Sequence, residues 1–175
     1  MRVIDDIFSE EELTIVDEEV AELLIPPKEM GSRPQWRTNH YYWGRELDYP
    51  FDRGHILYYD CGQKVTQIIL DKIKETTNLT AKGSPIRYSL WCGDSGASWH
   101  PDGAVGFTFY LTPWPIENGG QLFYVDENEC QSMIPVKRNR LVINDNQTMH
   151  RVSRVRHVRD PRNNVRLTIQ VFALE

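Results

Sequence analysis

Three side chains define the chemistry this chain could perform. In Ser98-Trp99-His100-Pro101-Asp102 an imidazole and a carboxylate stand two residues apart, just ahead of a run of β-formers from Ala104 to Pro113. On an extended backbone residues i and i+2 point the same way, ~7 Å apart. His100 and Asp102 would then face one point, and a small rotation would let both reach one cation. Such a pair also arises by chance in polar loops, so a third donor is needed. Among the remaining histidines (His40, His55, His150 and His157), His150 stands out because it follows one strand-like run, residues 140–144, and opens another, residues 150–155. Taken singly it reads equally well as an exposed histidine at the start of a strand. Together the three form a two-histidine, one-carboxylate set, which suits Fe(II) and leaves coordination positions open. Zinc or manganese would accept the same donors.

A cation at the other end of the chain adds a second kind of chemistry. In the last apolar run Arg166, Thr168, Gln170 and Phe172 share one face, and Leu167, Ile169 and Val171 share the other. The aliphatic face must pack into the protein, so Arg166 would look toward the interior of a β core. A buried guanidinium needs a partner, and its planar fork matches a carboxylate in bidentate fashion. A small diacid held at the metal would supply that carboxylate; an arginine at a solvated rim is the plainer alternative. Arg151, Arg154, Arg156, Arg159 and Arg162 lie in a looser stretch and are expected in solvent.

Positioning these groups requires a scaffold, and the chain supplies one in two parts. Residues 2–5 read as a short strand. Ser9 with Glu12 three residues on is a capping-box signature, and Phe8 and Leu13 are placed for a hydrophobic staple. Leu13, Val16, Val20 and Leu23 continue at helical spacing until Pro26-Pro27, and Val65, Ile68, Ile69 and Ile73 mark a second helix. The segment between is rich in Gly, Pro and aromatics, with a candidate strand near residues 38–43 and much loop. From Ser84 onward seven short β-forming runs recur with turn signals between them, as in a sandwich, barrel or jelly roll. The expected architecture is mainly β with flanking α, a single domain over 1–175: helical support and a candidate substrate loop in 1–83, a jelly-roll core in 84–175.

Composition narrows the partners. At 175 residues, 40% hydrophobic and 26% charged, the chain suits one soluble domain. A net charge of −5 makes a protein devoted to gripping nucleic-acid phosphates a poor reading. No apolar run approaches the roughly 20 residues of a membrane span, and the acidic start shows no signal peptide, so a cytoplasmic location is expected. Cys61, Cys92 and Cys130 are odd in number and form no C-x-x-C pair, which fits free thiols in a reducing compartment.

The set His100-x-Asp102, then residues 119–125 (GGQLFYV), then 140–152 (RLVINDNQTMHRV), then Arg166-x-Thr168 resembles the Fe(II)/2-oxoglutarate-dependent oxygenases, most closely their prolyl 4-hydroxylase-like branch. The resemblance covers roughly residues 85–175 well and the first half only in general layout. It implies a double-stranded β-helix, or jelly roll, buttressed by the N-terminal helices. It implies Fe(II) held by His100, Asp102 and His150, with 2-oxoglutarate as cosubstrate, O2 as oxidant and ascorbate as an optional reductant. Arg166 would meet the distal carboxylate of 2-oxoglutarate. Tyr110 matches a tyrosine that bonds the same group, Thr108 shares its strand face, Thr168 would add a polar contact, and Leu122 would line the pocket. Trp91 stands where some relatives carry a cosubstrate-contacting tyrosine, and an indole cannot supply a phenol's acceptor.

The interval between His150 and Arg166 is longer than usual for that branch, which leaves Arg162 as an alternative carboxylate binder. The DNA-repair branch places an arginine six residues beyond the cosubstrate arginine; here that position is Phe172. The implied activity is hydroxylation of an unactivated C–H, with a prolyl residue of a protein or peptide as substrate, or alternatively a free amino acid or small metabolite. Trp36, Tyr41, Trp43 and Trp99 are candidate substrate-wall residues. A cupin-like metal protein without oxygenase activity is the alternative of another class. The oligomeric state is not legible.

Overall fold

A computed structural model describes residues 1–23, 37–38, 56–81, 83–91, 93–145, 147–156 and 165–173. In chain order the elements are β1 (Arg2–Asp5), α1 (Glu10–Leu23), β2 (Arg37–Thr38), β3 (Ile56–Asp60), α2 (Gln63–Thr77), β4 (Arg87–Trp91), β5 (Ala97–His100), β6 (Val105–Tyr110), β7 (Leu122–Val125), β8 (Gln131–Ile134), β9 (Arg140–Asn144), β10 (His150–Val152) and β11 (Arg166–Ala173). One 3-10 turn, Ile116–Asn118, precedes β7.

The start of α1 forms as its residues predict. The Glu12 amide donates to Ser9 Oγ at 3.3 Å, and the Ser9 amide donates back to Glu12 Oε2 at 2.8 Å, closing the capping box. Glu19 on the next turns ties the helices together, because its Oε1 accepts the Gly62 amide at 2.7 Å, an orphan donor ahead of α2. The second helix ends at Asn78 in the left-handed conformation, its amide returning to the Lys74 carbonyl. No helix among the described residues is long and apolar enough to cross a membrane.

The strands build two antiparallel sheets, one in the order β1-β9-β6-β11-β4-β3-β2 and the other β5-β10-β7-β8. Side-chain alternation divides the larger sheet into two faces. Its outer face carries Tyr88, Phe107, Phe109, Leu141, Leu167, Ile169 and Val171, which pack on Leu13, Val16, Val20, Val65, Ile69 and Ile73 of the two helices. Its inner face meets the smaller sheet through Trp91, Tyr110, Leu122, Ile134, Val142 and Val152. Two facing sheets with helices against one outer side make a double-stranded β-helix, the fold expected from the strand pattern.

The first half of the chain contributes more than helices. β1, β2 and β3 all join the larger sheet, β1 beside β9 and β3 beside β4. The run Ile56–Asp60 has glycines on both flanks (Gly54 and Gly62) but no alternation of apolar and polar residues, and β5 is short and polar. Neither stands out by periodicity; pairing with β4 and β10 is what makes them strands.

Candidate active site

The site lies between the sheets, and strand register assembles it. β5 and β10 place His100 directly opposite His150. Asp102 follows two residues after His100, past the end of β5. The nearest nitrogen and oxygen atoms of the three all fall within 4.8 Å of one another. Asp102 Oδ1 is 3.4 Å from His150 Nε2 and 3.7 Å from His100 Nε2. The rings lie 4.4 Å apart, tilted by 51°.

Both imidazoles are anchored from behind in the same way. His100 Nδ1 lies 2.7 Å from the Ser98 carbonyl, and His150 Nδ1 lies 3.0 Å from the Thr148 carbonyl. A carbonyl can only accept, so the proton belongs on Nδ1 in each ring and the Nε2 lone pair faces the common point. Burial works against the Asp102 carboxylate, but hydrogen bonding and charge from His150, with Asn144 and His100, outweigh it and hold the group below its usual range. Burial likewise works against charge on His150, and Asp102 again prevails, holding the imidazole above its usual value. The trio is an electron-rich nest that a cation or a proton can fill.

Behind it lies the arginine. Arg166 is 1% exposed, and among the described residues it has no carboxylate partner. Its Nε donates to the Gly120 carbonyl at 2.8 Å, while Nη1 is buried and has no hydrogen-bond partner among the described residues. Trp91 sits directly across the ladder from it and covers the guanidinium face at 4.3 Å; Tyr110 lies at 5.5 Å. Burial lowers the guanidinium to about 10, which leaves it cationic at neutral pH. A buried cation with an open donor edge is costly unless something negative meets it.

The cavity joining the two centres encloses about 510 Å³ of empty space, the open solvent at its mouth included. Trp91, Thr108, Tyr110, Leu122 and Arg166 line it together with the His-Asp-His trio. Thr168 stands across the ladder from Tyr110, but its hydroxyl already accepts the Trp91 indole N–H at 3.1 Å. Trp91 thus acts on Arg166 and Thr168 rather than in a phenol's place.

Trp99 departs from its expected position. It is not among the cavity-lining residues, because alternation along β5 turns it away from the face that His100 presents. It packs instead against Arg151, whose guanidinium lies 5.2 Å from its ring and 4.8 Å from that of Phe123. Arg151 is therefore a strand residue wedged between aromatics, not a solvated loop arginine; Arg154 pairs with Asp94. Trp36, Tyr41 and Trp43 lie outside the described residues, as does Arg162.

Three site residues are not evident in sequence alone: Gly106, Gly120 and Asn144. A Cβ on Gly106 would stand 2.6 Å from Asp102 Oδ2, and one on Gly120 would stand 2.7 Å from Arg166 Cδ and 2.8 Å from its Nε. The Gly119-Gly120 pair was the available signal. Gly120→Ala is expected to cost about 1–2 kcal/mol of stability for the left-handed backbone alone, at φ +69°. Because it also displaces Arg166, it should weaken a dicarboxylate ligand about tenfold. Thermal denaturation and a ligand titration check the two effects separately.

The chain belongs to the 2OG-Fe(II) oxygenase superfamily, whose family model matches residues 86–173. Membership makes it an oxygenase enzyme and implies Fe(II), 2-oxoglutarate and O2. Among solved structures, it is similar to a prolyl hydroxylase from Trichoplax adhaerens in complex with a hypoxia inducible factor peptide fragment, at 16% identity and TM-score 0.69, covering 99% of this chain and 82% of that one. It is also similar to a prolyl-4-hydroxylase from Pseudomonas putida, at 15% identity and TM-score 0.65, covering 99% and 92%. A non-haem alpha-ketoglutarate-dependent epimerase of nogalamycin biosynthesis superposes at TM-score 0.62 and 11% identity, covering 99% and 76%. No curated protein sequence matches the chain significantly.

Proposed function

We propose that this chain hydroxylates a prolyl residue of a protein or peptide, with His100, Asp102 and His150 holding Fe(II) and Arg166 receiving the distal carboxylate of 2-oxoglutarate. The observation that carries the cosubstrate assignment is the unpartnered Nη1 of a fully buried arginine aimed into the cavity behind the trio. When bound, the iron supplies the oxidising chemistry: one O2 is consumed, 2-oxoglutarate loses CO2 to become succinate, and the substrate C–H becomes C–OH.

The chain's own residues do the positioning. The two backbone carbonyls behind the imidazoles fix their tautomers, so each neutral ring turns the lone pair of its Nε2 toward the point it shares with Asp102 Oδ1. Gly120 and Trp91 hold the guanidinium edge toward the cavity, which orients a diacid with its far end deep and its keto acid end at the trio. Leu122, Val142 and Val152 line the space between them with aliphatic surface. Of the other lining residues, Gln170 and Phe172 are uncharged, and the Met1 ammonium lies 4.0 Å from Asp145 Oδ2. Phe172 is 42% exposed and offers an aromatic face suited to a neutral pyrrolidine ring. The likeness to two prolyl hydroxylases agrees with this reading.

The test is incubation with Fe(II), 2-oxoglutarate and a library of proline-containing peptides, read by mass spectrometry and succinate release. The expected result is one oxygen atom gained on proline for each succinate formed. Oxygen gained only by free amino acids would move the substrate to a small metabolite, and absence of succinate under all conditions would sink the reading. Phe172→Ala is expected to raise the peptide KM about three- to tenfold, as lost apolar contact of about 1 kcal/mol predicts, while leaving the KM for 2-oxoglutarate unchanged.

A further inference from the structure

Asn144 ends β9 directly across the ladder from Gly106, and both abut the same oxygen. Asn144 is buried, and its Nδ2 donates to Asp102 Oδ2 at 2.7 Å. The notch left by the missing Gly106 side chain receives that oxygen from the other side. Asp102 Oδ2 is thereby occupied, and only Oδ1 faces the two Nε2 atoms. The amide orientation follows from the neighbours. Turned over, its oxygen would confront a carboxylate, and the His150 Nδ1 atom 3.1 Å away is already committed to the Thr148 carbonyl. The remaining Asn144 Oδ1 is buried and has no partner among the described residues, a cost that persists because the donor side is needed.

We infer that Asn144 is a positioning residue that keeps Asp102 a one-oxygen ligand. This rests on the metal assignment above. Two imidazoles and one oxygen occupy three of the six positions of an octahedral ion and leave three open; a carboxylate binding through both oxygens would leave two. A cosubstrate that chelates through two atoms and an oxidant that needs a third position require the larger number. Asn144 thus sets how many ligands the metal can still accept, without touching the metal itself.

The test uses Mn(II)-loaded full-length protein and water-proton relaxation, which counts exchangeable waters on the ion. In Asn144→Leu, of similar shape and without a donor, the relaxation enhancement is expected to fall by about a third as Asp102 Oδ2 displaces one of three waters, and Mn(II) affinity to change about tenfold. Asn144→Ser, whose hydroxyl is too short to span to Asp102, provides a milder second variant with the same expected signature. Folded variants with unchanged relaxation and unchanged Mn(II) affinity would overturn the role of Asn144 alone. Wild-type protein that takes up no Mn(II) would overturn the metal assignment and this inference with it.

Discussion

Arg166→Met is expected to weaken 2-oxoglutarate binding severely while leaving the fold about as stable as before. Truncating one member of a buried charge pair costs about 2–5 kcal/mol of binding, so 2-oxoglutarate affinity should fall about thirtyfold to several thousandfold. Stability responds differently, because without ligand the guanidinium is buried with Nη1 unpaired and no carboxylate among the described residues. Replacing such a group with a well-packed apolar side chain is often neutral or stabilising. Methionine fills similar space, and its sulfur suits the Trp91 face. The variant loses the Arg166 bond to the Gly120 carbonyl, worth about 1 kcal/mol, against relief of the buried charge. Isothermal titration with 2-oxoglutarate and chemical denaturation together decide the matter. Near-native cosubstrate affinity would show that Arg166 is not the carboxylate receiver, and collapse of the fold would show that the guanidinium is structural.

Asp102→Ala is expected to abolish turnover, by at least about a thousandfold, equivalent to about 4 kcal/mol. It removes the one anion of the trio, and a positioned metal ion contributes several kcal/mol to charge stabilisation. Anaerobic addition of Fe(II) and 2-oxoglutarate should give a visible charge-transfer band with the wild type and none with the variant. The metal-free protein offers a second readout. Asp102 is held below its usual value, so its contribution to stability is present above the ordinary carboxylate range and lost as pH falls through the lowered value. His150 is held above its usual value, so its contribution is complete below the ordinary imidazole range and lost as pH rises through the raised one. Between those limits the ion pair stabilises the metal-free fold. The variant should lack both slopes, which denaturation midpoints measured across pH would show.

The two expectations draw on very different amounts of non-local information. Alternation in residues 166–172 separates Arg166, Thr168, Gln170 and Phe172 from Leu167, Ile169 and Val171, and β11 keeps that division: Arg166, Gln170 and Phe172 line the cavity, Thr168 meets the Trp91 indole, and the second group packs against the helices. The capping box of α1 and the helical apolar stripes were legible for the same reason: their partners lie three or four residues away. Alternation also assigns Trp99 to the face opposite His100, and its placement as a substrate wall overlooked that local rule. By contrast, nothing near Asn144 hints that its amide reaches Asp102. The Gly119-Gly120 pair signals a tight approach but does not name Arg166 as the group approached, and a Trp in place of a Tyr at position 91 does not reveal that it will stack on a guanidinium.

By itself, the sequence determined the donor types, their order along the chain, and the face of each strand on which they lie. These follow from covalent geometry, since a β-strand's side chains alternate whatever its neighbours do. Only the tertiary structure decided which donors meet. The opposition of His100 to His150, of Gly106 to Asn144 and of Trp91 to Arg166 depends on hydrogen-bond register between strands distant in the chain. A slip of one residue would turn every one of those side chains to the other face. Register is chosen by burial of the whole apolar set against the helices and the opposing sheet, a collective property that no short motif contains.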